Sequence, residues 1–310
     1  MKALSLAAVV LAFVVIVVGA YVRLSDAGLG CPDWPLCYGH PVPEPVTDAA
    51  AHGKAWKEMG HRYLAGTLGL LIAALWFLAF SRKKLLFLST GLVLLVVFQA
   101  TLGMWTVTML LKPAIVTAHL LGGMTIFALL IWFCLLQFEF TSTAPGNSIR
   151  FYAAAALTFL VVQIALGGWV SANYAALACP DLPGCRGEAL PKMDFANAFH
   201  VFRELGRTGE GELLPLDALV AIHWTHRLFA LVVLGAVGFS AWKAFSIQGL
   251  RGLACLVAAL LILQLALGLA NVAFGLPLAL AAAHNAGAAL LLGALVVLNF
   301  FSFKALRPFK

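Results

Sequence analysis

Four histidines form two pairs with equal spacing inside strongly apolar stretches of the chain. His61 and His119 are 58 residues apart, and His226 and His284 repeat that separation. An ionisable ring inside a membrane span is costly and usually faces the bundle interior with a partner. Two imidazoles on facing helices, with no cysteine or carboxylate cage beside them, suit axial ligation of a haem iron better than a tetrahedral zinc site. The spacing therefore predicts two haem-binding pairs.

The alternative is that the repeat preserves these histidines only as buried polar groups that help packing. Their position argues against this, because His61 begins one apolar span and His119 lies shortly after the start of another. At about 1.5 Å of rise per residue, both rings lie within roughly 10 Å of the same membrane surface. They can therefore face each other across a bundle.

Two arginines and two glutamines recur beside the histidines. Arg62 and Arg227 directly follow the first histidine of each pair, where a guanidinium group can pair with a haem propionate or simply anchor the helix at the lipid headgroups. Both interpretations stay open. Gln99 and Gln264 also recur at equivalent positions, and a hydrogen bond to a neighbouring helix is favoured for them over a bond to a ligand.

The repeat fails at Glu58, whose counterpart in the second half of the chain is His223. Glu58 precedes His61 by three residues, which places both side chains on one helical face. A carboxylate there can relay a proton or stabilise positive charge that develops on a porphyrin substituent, which makes Glu58 a candidate catalytic residue. The simpler interpretation is a solvated acid in the first turn of the helix.

Two short loops carry cysteine pairs with the spacing C-x5-C. They are CPDWPLC at residues 31–37 and CPDLPGC at residues 179–185. Both lie in segments predicted to face an oxidising compartment, so disulfides Cys31–Cys37 and Cys179–Cys185 are expected. A redox-active role stays open. Cys134 and Cys255 lie singly in spans and are predicted to be small apolar core residues.

The elements that position these residues must be membrane-spanning helices. The chain is 63% hydrophobic and 11% charged, a composition typical of an integral membrane protein. A span needs roughly 20 apolar residues, and the first stretch is too long for a signal-peptide core, so it is predicted to be a retained span. The eight predicted spans are residues 3–23, 59–80, 85–107, 114–138, 151–173, 216–242, 252–273 and 277–303.

The loops alternate between two chemistries. One set is short and basic, which predicts that these loops and both termini face the cytoplasm of a cell-membrane protein. Its residues are Arg82, Lys83, Lys84, Arg150, Lys243, Arg251, Lys304, Arg307 and Lys310. The long loops 24–58 and 174–215 hold most of the acids and are predicted to be periplasmic or extracellular. The net charge of +7 then belongs to the basic cytoplasmic face of the protein and does not indicate nucleic-acid binding.

Phenylalanines around His200 predict an amphipathic helix lying on the membrane.

The chain repeats itself internally. The cysteine loops are offset by 148 residues, and the histidines by 165, with Gly103 matching Gly268 at the same offset as the histidines. The predicted fold is therefore an all-α integral membrane fold of eight transmembrane helices, in two duplicated four-helix bundles related by a parallel pseudo-twofold repeat. The predicted domains are an N-terminal half, 1–140, a cytoplasmic linker, 141–150, and a C-terminal half, 151–310.

The paired C-x5-C loops, the E-x-x-H-R motif at residues 58–62 and the two histidine pairs resemble those of the CtaA/Cox15 family of haem A synthases. The resemblance covers essentially the whole chain. It implies oxidation of the C8 methyl group of haem O to the formyl group of haem A, for use in cytochrome oxidase. It also implies that His61, His119 and Glu58 serve the substrate haem, and that His226 and His284 hold haem b.

The same resemblance implies partners. Haem O synthase, a farnesyltransferase, is the expected upstream partner, membrane lipid surrounds the chain, a quinol is the candidate electron donor, and a homo-oligomer stays open. The alternative function is a duplicated bis-histidine cytochrome b for quinol-linked electron transfer, which predicts two symmetric halves. A transporter is a third interpretation, but it predicts broken helices around a midplane site.

Overall fold

A computed structural model of the protein describes residues 1–43, 48–140 and 149–304. Arg307, Lys310 and most of the predicted linker lie outside these residues. Eight of the described helices are long and apolar enough to cross a membrane, which confirms the predicted number. Helices suit this environment because each pairs its own backbone polar groups within the segment.

The described residues form eight long α-helices and one short α-helix, which lies between the fifth and sixth long helices. They are α1 (Lys2–Leu24), α2 (Ala49–Arg82), α3 (Leu86–Thr108), α4 (Pro113–Leu135), α5 (Arg150–Ala172), α6 (Phe195–Ala198), α7 (Leu216–Phe245), α8 (Arg251–Ala273) and α9 (Leu278–Lys304).

Helix α2 begins well before the predicted start at residue 59. Its first residue is Ala49, and the Asp48 carboxylate caps it by accepting a hydrogen bond from the Ala50 backbone N–H. Such a cap satisfies a donor that the first turn leaves without a helical partner. The added turns contain His52, Lys54 and Lys57, so a search for apolar runs does not detect them.

The predicted amphipathic surface helix around His200 is wrong. The segment forms only the single turn of α6, in which the rings of Phe195 and Phe199 stack at 6.3 Å. The chain then turns inward, and Arg203 is buried with its guanidinium group donating to the Asn173 side chain at 2.6 Å. That buried hydrogen bond is incompatible with a helix that continues along the surface.

Each half of the chain forms a ring of four helices. In the first half α1 and α3 each pack against both α2 and α4, so α2 and α4 stand on opposite sides of the ring. In the second half α5 and α8 each pack against both α7 and α9. The predicted histidine pairs therefore lie on opposite helices, His61 on α2 with His119 on α4, and His226 on α7 with His284 on α9.

The two rings meet along α1 and α4 of the first and α5 and α9 of the second. Helix α4 packs against α5, and α9 packs against α1, so these contacts come in equivalent pairs. At the ends that carry the long loops, Arg23 donates to the Ser171 carbonyl at 2.8 Å, and the Tyr174 hydroxyl donates to Asp26 at 2.9 Å. The partners in both bonds are offset by 148 residues, the offset of the cysteine loops.

Candidate functional site

All four histidine rings are packed in the same way against a neighbouring helix. The Cε1 atom of each ring is the closest atom to a helical glycine, so close that a Cβ atom added there would lie between 2.8 and 3.2 Å from it. The pairs are His61 with Gly19, His119 with Gly103, His226 with Gly167 and His284 with Gly268. The glycines belong to α1, α3, α5 and α8, the helices that alternate with the histidine helices in each ring.

Each of these rings also has a buried nitrogen without a partner among the described residues. The Nδ1 atoms of His61, His119, His226 and His284 are all buried and accept or donate no hydrogen bond there. A buried polar atom left unpaired is costly, and buried polar atoms in proteins are almost always paired. Axial haem ligation uses neutral imidazole rings, so the placement of these histidines on opposite helices fits the predicted haem sites. No cluster of three metal-binding side chains is found in the described part of the chain.

Three glutamines lie beside the histidines. Gln99 Nε2 donates to the His119 carbonyl at 2.7 Å, and Gln264 Nε2 lies 3.3 Å from Nε2 of His284. Gln163 on α5 donates to the His226 carbonyl at 3.1 Å. Sequence reasoning missed Gln163, because Val15 stands at its equivalent position in the first half. Gln99 therefore contacts the His119 backbone in the first half. In the second half, Gln163 contacts the His226 backbone and Gln264 contacts the His284 ring.

In the first half, Glu58 and Arg62 fasten the cysteine loop to the top of α2. Glu58 is only 5% exposed, and its Oε2 accepts a hydrogen bond from the Cys31 backbone N–H at 2.9 Å. Its Oε1 pairs with Arg62 Nη2 at 2.5 Å. Arg62 Nη1 in turn donates to the Asp33 and Leu36 carbonyls at 2.9 and 2.7 Å. Glu58 is therefore not the solvated first-turn acid of the simpler interpretation.

The second half repeats this arrangement with an imidazole in place of the carboxylate. His223 Nδ1 lies 3.3 Å from the Cys179 backbone nitrogen, and its Nε2 lies 3.1 Å from Arg227 Nε. A neutral imidazole has one acceptor nitrogen, so it accepts from one of these two donors at a time. Arg227 also donates to the Cys179, Asp181 and Gly184 carbonyls at 2.5, 2.8 and 2.9 Å. We call this shared arrangement of Glu58 with Arg62, or of His223 with Arg227, the loop latch.

The loop latch bears on the predicted role of the arginines. Both guanidinium groups lie under a cysteine loop and donate to its carbonyl oxygens, next to a histidine in sequence. A pairing of Arg62 and Arg227 with haem propionates stays a prediction. Their contacts in this structure connect each cysteine loop to the helix that carries His61 or His226.

Both cysteine loops fold alike and close with a disulfide. The Sγ atoms are 2.01 Å apart in Cys31–Cys37 and 1.94 Å apart in Cys179–Cys185, which matches the predicted pairing. Within the second loop, the Asp181 carboxylate accepts hydrogen bonds from backbone N–H groups. The donors are Gly187 and Arg186, and these bonds lower the pKa of Asp181. An ionised Asp181 carboxylate therefore stabilises the backbone turn at Arg186 and Gly187.

A thiol map checks the disulfides against one internal control, Cys255. Treating the native protein before reduction with an apolar, membrane-permeant maleimide is expected to label Cys255, which is exposed on α8, and to leave the four loop cysteines unlabelled, because those four are bonded. Non-reducing peptide mass spectrometry should then recover the two loop peptides as intact cross-linked species. Alkylated Cys31 or Cys179 in protein prepared without reductant would contradict the pairing.

The structure also places His40, His52 and the two cysteines outside the loops. The His40 backbone pairs with Cys37, and His52 accepts a hydrogen bond from Trp56 at 2.9 Å. Cys134 is buried as predicted, but the prediction of a core position for Cys255 is wrong. It faces outward on α8, where an apolar side chain is compatible with lipid.

Comparison with known proteins adds an independent finding. The model of the COX15-CtaA family, described as a cytochrome oxidase assembly protein, matches residues 2–296. The protein named "Heme A synthase" in Shewanella oneidensis is 44% identical, over 94% of this chain and 93% of its own length. The protein of the same name in Halalkalibacterium halodurans is 27% identical over 70% of this chain and 73% of its own. That in Bacillus pumilus is 26% identical over 99% of both.

Proposed function

This chain belongs to the COX15-CtaA family of cytochrome oxidase assembly proteins, and we propose that it is a haem A synthase, a membrane enzyme that modifies haem O to haem A. The relatives that carry that name support this function, at 44% identity over nearly the whole chain in one case. The observation that carries it is the set of four histidines, each with a buried and unpaired ring nitrogen, on opposite helices of two rings.

The proposed reaction oxidises the C8 methyl group of haem O to the formyl group of haem A. The N-terminal half, 1–140, takes the substrate haem, with His61 and His119 on either side of it. The C-terminal half, 151–310, would hold a resident haem b through His226 and His284, and residues 141–150 link the halves. When bound, haem b supplies one-electron redox chemistry.

The chain's own groups position the substrate and handle protons. Haem O carries an apolar farnesyl tail, so entry from lipid suits it better than entry from water, and it is proposed to dock between α2 and α4. Glu58 lies on the face of α2 that carries His61, one turn nearer the cysteine loop, and it is the group proposed to accept or release a proton. Arg62 pairs with that carboxylate and donates to the Asp33 carbonyl of the loop, so it connects Glu58 with the cysteine loop.

The chain is a multi-pass membrane protein, and its orientation is proposed from charge. The basic segments are placed in the cytoplasm with both termini, and the disulfide loops outside the cell membrane, where thiols are oxidised. Haem O synthase, a farnesyltransferase, is the proposed supplier of substrate, and a quinol is the proposed electron donor. A homo-oligomer is compatible with this placement.

Haem extraction tests the function. The protein is purified from cells that also produce haem O synthase, and its haems are extracted and separated by chromatography. Haem O or haem A is expected beside haem b, with haem A absent from matched cells that lack the gene. Haem b alone in both halves, with no haem A formed in the producing cells, would contradict the haem A synthase function. It would favour the alternative function of a bis-histidine cytochrome b.

A further inference from the structure

We propose that Gly19, Gly103, Gly167 and Gly268 are positioning residues for haem ligation, which set how far each histidine ring stands from its neighbouring helix and how it is turned. The inference rests on the proposed function, since it assigns these glycines to the same two haem sites. It goes beyond that function because none of the four belongs to the histidine helices or carries a side chain that could ligate.

The contact geometry supports this role. Carbon atoms in contact prefer about 3.5–4.0 Å, whereas a Cβ atom on Gly268 would lie 3.1 Å from Cε1 of His284. The corresponding distance is 3.2 Å between Gly103 and His119, and 2.8 Å between Gly19 and His61. Any side chain at these positions would therefore push the ring away from its neighbouring helix.

The orientation of the rings matters as much as the distance. A Cβ atom on Gly103 would lie 3.8 Å from Nδ1 and 3.9 Å from Nε2 of His119, and one on Gly268 would lie 3.7 and 4.0 Å from the same atoms of His284. The ring thus meets the glycine with Cε1 foremost and a nitrogen on either side. A methyl group at that point turns the ring, and the direction of its nitrogen lone pair turns with it.

Other glycines on the same helices show that this contact is specific. A Cβ atom on Gly91 of α3 or Gly252 of α8 would meet nothing within 4 Å. Alanine stabilises a helix more than glycine does. Replacing Gly91 or Gly252 is therefore expected to be neutral or stabilising, whereas replacing Gly103 or Gly268 strains a histidine. Because substitutions at Gly91 and Gly252 displace no histidine ring, they serve as matched controls for those at Gly103 and Gly268.

The experiment compares Gly268→Ala with Gly252→Ala in the full-length, haem-loaded protein. Positioning groups around a metal ligand typically change its affinity by about 10- to 100-fold, so Gly268→Ala should bind haem b at least about tenfold more weakly, or bind it with a shifted electron paramagnetic resonance signal. Gly252→Ala should match the wild type in both. In the first half, Gly103→Ala should leave the haem b signal unchanged and lower the bound haem O, unlike Gly91→Ala.

Gly167→Ala changes the α5 glycine that faces His226, the other proposed ligand of haem b. Testing it beside Gly268→Ala shows whether a result comes from a folding defect in one variant. Wild-type haem content and an unshifted signal in both Gly167→Ala and Gly268→Ala would overturn the inference. So would failure of both variants to accumulate in membranes that hold Gly252→Ala normally, because the glycines would then serve helix packing. A wild-type protein without any haem would instead reject the proposed function itself.

Discussion

Alanine at His226 or His284 is expected to abolish the low-spin haem b spectrum of the purified protein. The two rings lie on α7 and α9, on opposite sides of the second helix ring, and each has an unpaired buried nitrogen. If haem b is held between them, loss of one ring removes one of two axial ligands and leaves iron either five-coordinate or unbound. Optical and electron paramagnetic resonance spectra, with haem counted per polypeptide, measure the loss.

His223→Gln provides the matched control, on the same helix and one turn from His226. A glutamine oxygen can accept a hydrogen bond from the Cys179 backbone N–H, which lies 3.3 Å from His223 Nδ1 in this structure. The low-spin spectrum should persist in that variant. An unaltered spectrum in both His226→Ala and His284→Ala would mean that these two histidines do not ligate haem b, whatever the control shows.

Much of the fold follows from the sequence because the bilayer imposes one constraint on every span. Eight apolar runs correspond to eight long helices in the described residues. The early start of α2 was not predicted, because its first turns carry polar residues and depend on the Asp48 cap. The short length of α6 was not predicted. The spacing of the phenylalanines suggests a longer helix and does not reveal the buried hydrogen bond between Arg203 and Asn173.

The candidate site was only partly visible in the sequence. The repeat identified the histidine pairs and even matched Gly103 with Gly268, but spacing along the chain does not reveal that a glycine faces a ring on another helix. Gln163 has no repeat counterpart. The partners of Arg62 are carbonyl groups of the cysteine loop, and the conformation of that loop depends on the disulfide and on turns that a sequence pattern does not fix.

The loop latch changes how the broken repeat at Glu58 is interpreted. Glu58 accepts hydrogen bonds from the Cys31 backbone N–H and from Arg62. His223 contacts the two equivalent donors, and as a neutral ring it accepts from one of them at a time. Holding the loop therefore needs an acceptor at this position but does not need a carboxylate, since an imidazole serves in the second half. A buried carboxylate is more costly to desolvate than a neutral ring. Its presence only in the first half thus favours a second role there.

Glu58→Gln and Glu58→His are both expected to keep the haem b spectrum and to lose most conversion of haem O, by about a hundredfold or more if Glu58 transfers a proton. Glu58→His is the sharper variant, because it copies the latch that His223 already forms and removes only the carboxylate. Haem A per cell and haem O retained on the purified protein measure the loss. Wild-type haem A formation in cells that carry only Glu58→His would mean that Glu58 serves solely to hold the loop over His61, since the latch alone would then be sufficient for turnover.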